Sequence, residues 1–180
     1  MSFPHRYPAV MRALHWATVL GVLVAYGLTY AEGLFARGTP ERAAVWWTHI
    51  SVGLLVLAFT LARLGARGTM AMPPPSTALS RPMHLAATAA HVALYGLLIA
   101  VPLVGIWLAF LRGNAVNFFD LFTIPSPVPV DRAAAGTVQE VHEWLANGLM
   151  AIAAVHAAAA LWHHFVRHDD VLSRMLPGRG

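Results

Sequence analysis

Four long apolar stretches divide the chain: 13–31, 45–62, 85–111 and 144–166, none of which contains Asp, Glu, Lys or Arg. Each approaches or exceeds the ~20 residues that a helix needs to cross the hydrocarbon core of a bilayer. Local start signals refine the bounds. Thr39-Pro40 reads as an N-cap followed by proline in the first helical position, so the second helix starts before its apolar core. Ser80 is placed to cap the third helix, and Thr137-Val138-Gln139-Glu140 has the form of a capping box that starts the fourth near 138. Pro102 can kink the third helix. Met72-Pro73-Pro74-Pro75 and Ile124-Pro125-Ser126-Pro127 read as loops. The pattern predicts an all-α integral membrane protein. Its single domain, 1–180, is a bundle of four transmembrane helices spanning about 12–32, 42–64, 83–111 and 138–166.

Composition agrees with lipid. Charged residues are 11% of the chain and apolar ones 58%, against ~25% charged in soluble domains. The first apolar stretch is long enough to span and lacks the small-residue pattern of a cleavable signal. The twelve basic residues are all arginine and lie mostly at the ends of the apolar stretches, which indicates topology and not nucleic-acid binding. Four spans put both termini on one side. That side holds Arg6, Arg12, Arg63, Arg67, Arg81, Arg167, Arg174 and Arg179, and the other holds Arg37, Arg42, Arg112 and Arg132. Positive-inside bias therefore predicts cytoplasmic termini and, in a bacterium, a multi-pass protein of the inner membrane.

With no cysteine, thiolate-held clusters, zinc–cysteine sites and thioether-linked haem are excluded, so metal chemistry must run through the ten histidines. An intramembrane histidine is costly and suggests function, although a single one can serve as interhelical hydrogen-bond glue. Here several fall at matched depths. His142 and His156 are 14 residues apart on the fourth helix, a rise of ~21 Å that ends about 40° short of four turns. Both rings can thus leave one helix face at two levels. His49 matches the depth of His142, and His15 matches that of His156. Zinc or non-haem iron would want three or four converging donors, often with a carboxylate. Two imidazoles per metal suit a haem with both axial positions filled, so the pairs predict two non-covalent haems b. Gly53, near His49, can admit a porphyrin face. His91 is a spare candidate, as an alternative ligand to His15 or as part of a quinone site. His84 shares its face nearer the surface. His163 and His164, at the inner end of the fourth helix, suit propionates, quinone or plain interface. His5 and His168 are expected in solvent. Trp16, Trp46, Trp47, Trp107, Trp144 and Trp162 fall near span ends, as an aromatic belt requires.

These residues resemble the bacterial cytochrome b561 family, related to the cytochrome b subunits of nickel hydrogenases and formate dehydrogenases. The matching pieces are Leu14-His15-Trp16, Thr48-His49-Ile50-Ser51-Val52-Gly53 and His91-Val92-Ala93-Leu94-Tyr95. The fourth helix adds Val141-His142-Glu143-Trp144-Leu145-Ala146-Asn147 and the run from Val155-His156 to His163-His164-Phe165, and the tail adds Asp169-Asp170-Val171-Leu172-Ser173-Arg174-Met175-Leu176-Pro177. The resemblance covers nearly the whole chain. It implies a four-helix dihaem cytochrome with ligands His15 and His156 for the inner haem, and His49 and His142 for the outer. It also implies quinone exchange near one haem.

In length the chain resembles the standalone superoxide oxidases of that family, in which superoxide gives up its electron at the outer face and ubiquinone is reduced. Arg37, Arg42, Arg112 and Arg132 are available to attract an anion. Glu32, Glu41, Asp120, Asp131, Glu140 and Glu143 share that side, so any attraction must be local. Proton uptake for quinone reduction would draw on His91, His163 or Arg12. The alternatives are an electron-transfer subunit that docks a separate dehydrogenase or periplasmic redox donor and has no substrate of its own, and a non-redox scaffold.

Overall fold

A computed structural model describes residues 6–74, 76 and 79–177; His5 and Arg179 lie outside them. The chain forms α1 (Ala9–Ala31), α2 (Pro40–Thr69), α3 (Arg81–Leu111), a hairpin of β1 (Val116–Phe118) and β2 (Phe122–Ile124), and α4 (Arg132–Trp162). A 3-10 turn, Glu32–Leu34, follows α1, and a π turn, His163–Arg167, continues α4. All four α-helices are long and apolar enough to cross a membrane.

Helix starts follow from their caps. The Thr39 hydroxyl accepts the Arg42 N–H at 3.4 Å, with Pro40 in the first turn of α2. Ser80 occupies the N-cap position of α3, but its side chain makes no capping bond; Pro82 in the first turn sets the backbone instead. The fourth helix starts six residues earlier than the Thr137–Glu140 pattern predicts. Asp131 is its cap, accepting the Ala134 N–H at 3.0 Å, and the capping-box residues lie inside the helix. There Gln139 donates to Glu143 at 2.7 Å, an i,i+4 pair.

The hydrophobic pattern does not predict the hairpin between α3 and α4, because its strands are three residues each. Val116 pairs with Ile124 and Phe118 with Phe122. Val116 is fully buried against Ala109 and Phe110. The Ser51 hydroxyl of α2 donates to the Asn117 carbonyl and accepts the Phe119 N–H, both at 3.1 Å, which satisfies a polar group buried in the helix. Gly113, at φ +77°, makes the turn out of α3; a Cβ there would meet Val130 at 2.6 Å.

At the opposite end the termini meet. The Tyr7 N–H donates to the Arg174 carbonyl, Trp16 Nε1 to the Met175 carbonyl at 2.9 Å, and Arg12 Nη1 to the Leu176 carbonyl at 2.8 Å. Arg174 also holds Asp170 and the Pro74 carbonyl, so the tail straps α1 to the α2–α3 loop.

Packing is uneven around the bundle. The α1–α2 and α3–α4 pairs each pack extensively, whereas α2 touches α3 over a smaller surface. Gly21 lets α1 close on α2, since a Cβ there would lie 2.8 Å from Val56. At mid-height Val56, Leu98 and Leu149 form a buried apolar cluster, with Val22 against it. A step of seven residues returns to the same helix face with ~20° of drift and ~10.5 Å of rise. Towards the termini that step leads from these four positions to His15, Arg63, His91 and His156. Towards the hairpin it leads to His49, Gly105 and His142. The core is thus an apolar layer between two layers that carry imidazoles.

Candidate functional site

At the hairpin end, α2 and α4 bring His49 and His142 together, with ring centres 6.3 Å apart and planes at 73°. Two imidazoles on opposite sides of one metal atom have bonds of ~2.0 Å each and ring centres roughly 1.1 Å behind each nitrogen, so the centres should be ~6.2 Å apart. The observed separation fits. His49 Nδ1 donates to the Ala25 carbonyl at 2.9 Å, which fixes the ring and leaves Nε2 as its lone-pair nitrogen. His142 Nδ1 is buried towards the Val101 carbonyl without a well-formed hydrogen bond, so this ring is held less firmly than its partner. Gly105 makes room for it: a Cβ there would come within 2.9 Å of His142 Cε1.

A cavity of about 1240 Å³ lies between the helix pairs at this level, lined by His49, His142, Gly53, Gly105, Val101 and Ala146 among others. A Cβ on Gly53 would meet nothing within 4 Å, so this wall is open to a flat group. The paired imidazoles, the glycine walls and the apolar lining fit a haem. Among the described residues no three or more His, Asp or Glu converge as a metal cage, so the donor set is that of a two-ligand site and not of zinc.

At the termini end, α1, α3 and α4 contribute His15, His91 and His156. The rings of His91 and His156 are 5.3 Å apart at 65°, about 1 Å closer than a shared metal would set them. His15 lies within electrostatic reach of both. Arg63 also belongs to this layer, although in the sequence it reads as one of the flanking arginines. Its guanidinium lies over the Tyr95 ring, 5.3 Å from the centroid. Its spacing of two heptads from His49 is the signal in the sequence that locates it.

The remaining candidate residues are dispersed around this end. His163 is buried and its Nδ1 donates to Asp169 Oδ2 at 2.5 Å, with Arg167 beside the same carboxylate. His164 packs edge-on to Phe165. Arg12 holds the Leu176 carbonyl, as above. His84 and His168 are exposed, and His168 is left-handed at φ +53° where the π turn ends.

Outside the large cavity, a pocket of about 300 Å³ is lined by Arg112, Arg132, Gly136 and Gln139, and it shares Arg112 and Gln139 with the cavity wall. Arg112 donates to Gln139 Oε1 at 2.5 Å, a neutral partner that brings no counter-charge. Arg42, by contrast, is ion-paired with Glu32. The four arginines of this end are therefore not equivalent, and two of them line one pocket.

The model of the prokaryotic cytochrome b561 family matches residues 6–178. Cytochrome b561 homolog 2 of Escherichia coli is 32% identical over 189 residues, covering 98% of this chain and 95% of its own. A probable superoxide oxidase of Yersinia pestis is 29% identical over 178 residues, with 96% of each chain covered. Cytochrome b562 of Cereibacter sphaeroides is 34% identical over 177 residues, again with 96% of each covered. With four membrane-length helices and paired intramembrane histidines, the chain belongs to the prokaryotic cytochrome b561 family, whose members transfer electrons in the membrane and bind haem b.

Proposed function

We propose that the protein is a dihaem b-type cytochrome of the bacterial inner membrane, with both termini in the cytoplasm, that oxidises superoxide at its hairpin end and passes the electrons to ubiquinone. The observation that carries this reading is the 6.3 Å approach of His49 and His142 across an apolar cavity. The second set of imidazoles at the termini level, with His156 two heptads from His142 and His15 at the same depth, supports a second haem. Haem iron, when bound, supplies one-electron transfer between ferric and ferrous states.

The chain's own residues do the rest. His49 and His142 would hold the outer group and His15 and His156 the inner one. The Ala25 carbonyl orients His49, and Gly105 admits His142. Val56, Leu98 and Leu149 keep water from the space between the levels. Arg112 and Arg132, in the pocket beside the outer cavity, would concentrate a small anion although carboxylates outnumber arginines at that end. Two superoxide ions would yield two molecules of oxygen and two electrons, and ubiquinone would take both electrons with two protons from the cytoplasmic side. His91 suits the quinone end best of the four candidates. His163 is bound to Asp169 and Arg12 to the Leu176 carbonyl, while His164 packs on Phe165.

The test is turnover by purified protein alone. Superoxide-driven reduction of a soluble ubiquinone, in protein with two b haems per chain by pyridine haemochrome, is the expected result. Two haems without that turnover would favour an electron-transfer subunit that docks a separate dehydrogenase.

A further inference from the structure

Helix α2 places two polar side chains on one face, His49 and Arg63, 14 residues apart. This is the spacing of His142 and His156 on α4, a rise of ~21 Å with the same ~40° offset. At the hairpin level α2 therefore presents an imidazole, and at the termini level a guanidinium. Arg63 belongs to the same layer as three imidazoles, and its charge is felt at His15, His91 and His156. A cation at this depth is expensive unless something compensates it. Yet among the described residues no carboxylate pairs with Arg63. Its Nε is buried without a hydrogen-bond partner, and the guanidinium rests on the face of the Tyr95 ring, which cannot answer the planar fork of N–H donors.

We propose that Arg63 is the anchor for a propionate carboxylate of the haem held at the termini end, and that it sets that haem's potential above the value it would otherwise have. The inference rests on the dihaem reading. A haem carries its own carboxylates, so it would bring the missing counter-charge into the layer where the guanidinium waits. The planar fork matches a carboxylate in two parallel hydrogen bonds. A fixed positive charge beside the ring favours the electron-rich ferrous state, so losing it lowers the midpoint potential. Tyr95, under the guanidinium, limits its rotamers.

The experiment is a spectroelectrochemical titration of purified wild-type, R63Q and R63K proteins, each with its haem content measured. His142→Ala, which keeps only the termini-end haem, assigns the two midpoints. Apoprotein reconstituted with haem dimethyl ester, which has no ionisable propionate, provides the second arm. The expected result is a lower midpoint for the termini-end haem in R63Q, an unchanged one for the other haem, and near-complete restoration in R63K. With the dimethyl ester the R63Q shift should be larger, because no carboxylate then neutralises the guanidinium charge that the substitution removes. An unchanged midpoint in R63Q overturns the inference. So does a shift of the same size with the dimethyl ester, or unchanged midpoints with a higher KM for ubiquinone, which would make Arg63 a quinone contact. Should R63Q fail to retain the termini-end haem, the wild type should likewise fail to retain the dimethyl ester there, and full retention of the ester by the wild type overturns the inference. Wild-type protein with fewer than two haems would overturn the dihaem reading itself, and this inference with it.

Discussion

At the scale of single residues, the chemistry depends on rings placed to a fraction of an ångström. His142→Ala and His156→Ala should each lower the haem content from two per chain to about one, as read by pyridine haemochrome; two haems retained in either would remove that histidine from the ligand set. Gly105 offers a subtler test because it has no side chain to donate to a cofactor. A Cβ there would sit 2.9 Å from His142 Cε1, closer than real side chains approach, so the ring must move. Gly105→Val should therefore deplete the outer haem while leaving the inner one, a loss of about half the haem absorbance. Full occupancy of both sites would show that His142 can reorient without cost. Identity and depth of the histidines can be read directly from the sequence. Their partners within each layer cannot, since His91 and His15 compete on spacing alone. Arg63 is obscured for a related reason: an arginine one residue past an apolar stretch reads as a flanking charge until the helix is seen to continue to Thr69.

At the scale of elements, short polar contacts decide where helices begin and how the tail lies. Replacing Asp131 with Ala removes the acceptor for the Ala134 N–H and should cost about 1 kcal/mol, seen as a lower midpoint of thermal unfolding in detergent; no change would mean that solvent caps the helix equally well. The tail strap responds to acid. The Ser76 hydroxyl, which donates to Asp170 at 2.7 Å, holds that carboxyl below its usual 3.8; partial burial opposes this and Arg174 adds to it. Because the folded value is the lower one, its contribution is complete above the ordinary carboxylate range and is lost only as the pH falls below 3.8. Fluorescence of Trp16, whose indole donates to the Met175 carbonyl, should report release of the tail in that acid window in the wild type, and a tail already loosened at neutral pH, with no such acid transition, in Asp170→Asn. A pH-independent signal would show that the strap holds without this carboxylate. The start of α4 is instructive here. The sequence contains a capping box, but an aspartate six residues earlier captures the helix. Each cap would satisfy an orphan N–H in the first turn of the helix it starts, and the longer helix also buries Ala135 against Leu108 and Leu111.

At the scale of the whole molecule, the proposals concern direction. The chain has no cysteine, so single cysteines introduced at Arg37 and at Arg81 can be labelled by an impermeant maleimide in intact cells. Labelling is expected at 37 and absent at 81; the reverse pattern would invert the orientation and the side on which superoxide is met. If the Arg112–Arg132 pocket gathers an anion, the superoxide rate should fall with added salt, and Arg132→Gln should weaken both the rate and its salt dependence. A salt-independent rate would leave the pocket without that role.

Sequence suffices for whatever the bilayer imposes: four helices, because every backbone group in lipid must be bonded within its own segment, and the depths of the polar residues that such helices carry. Those two facts are enough to predict paired imidazoles at two levels. Distances between helices are another matter, and they exist only once the bundle has packed. Packing separates the two helix pairs to leave a cavity, brings His49 and His142 to a metal-spanning distance, and sets His91 against His156. It also folds a hairpin of three-residue strands onto Ser51 and lays Arg63 over the Tyr95 ring. None of these follows from periodicity, because the rotation and spacing of one helix against another are set by which small side chains, such as Gly21 and Gly105, permit close approach.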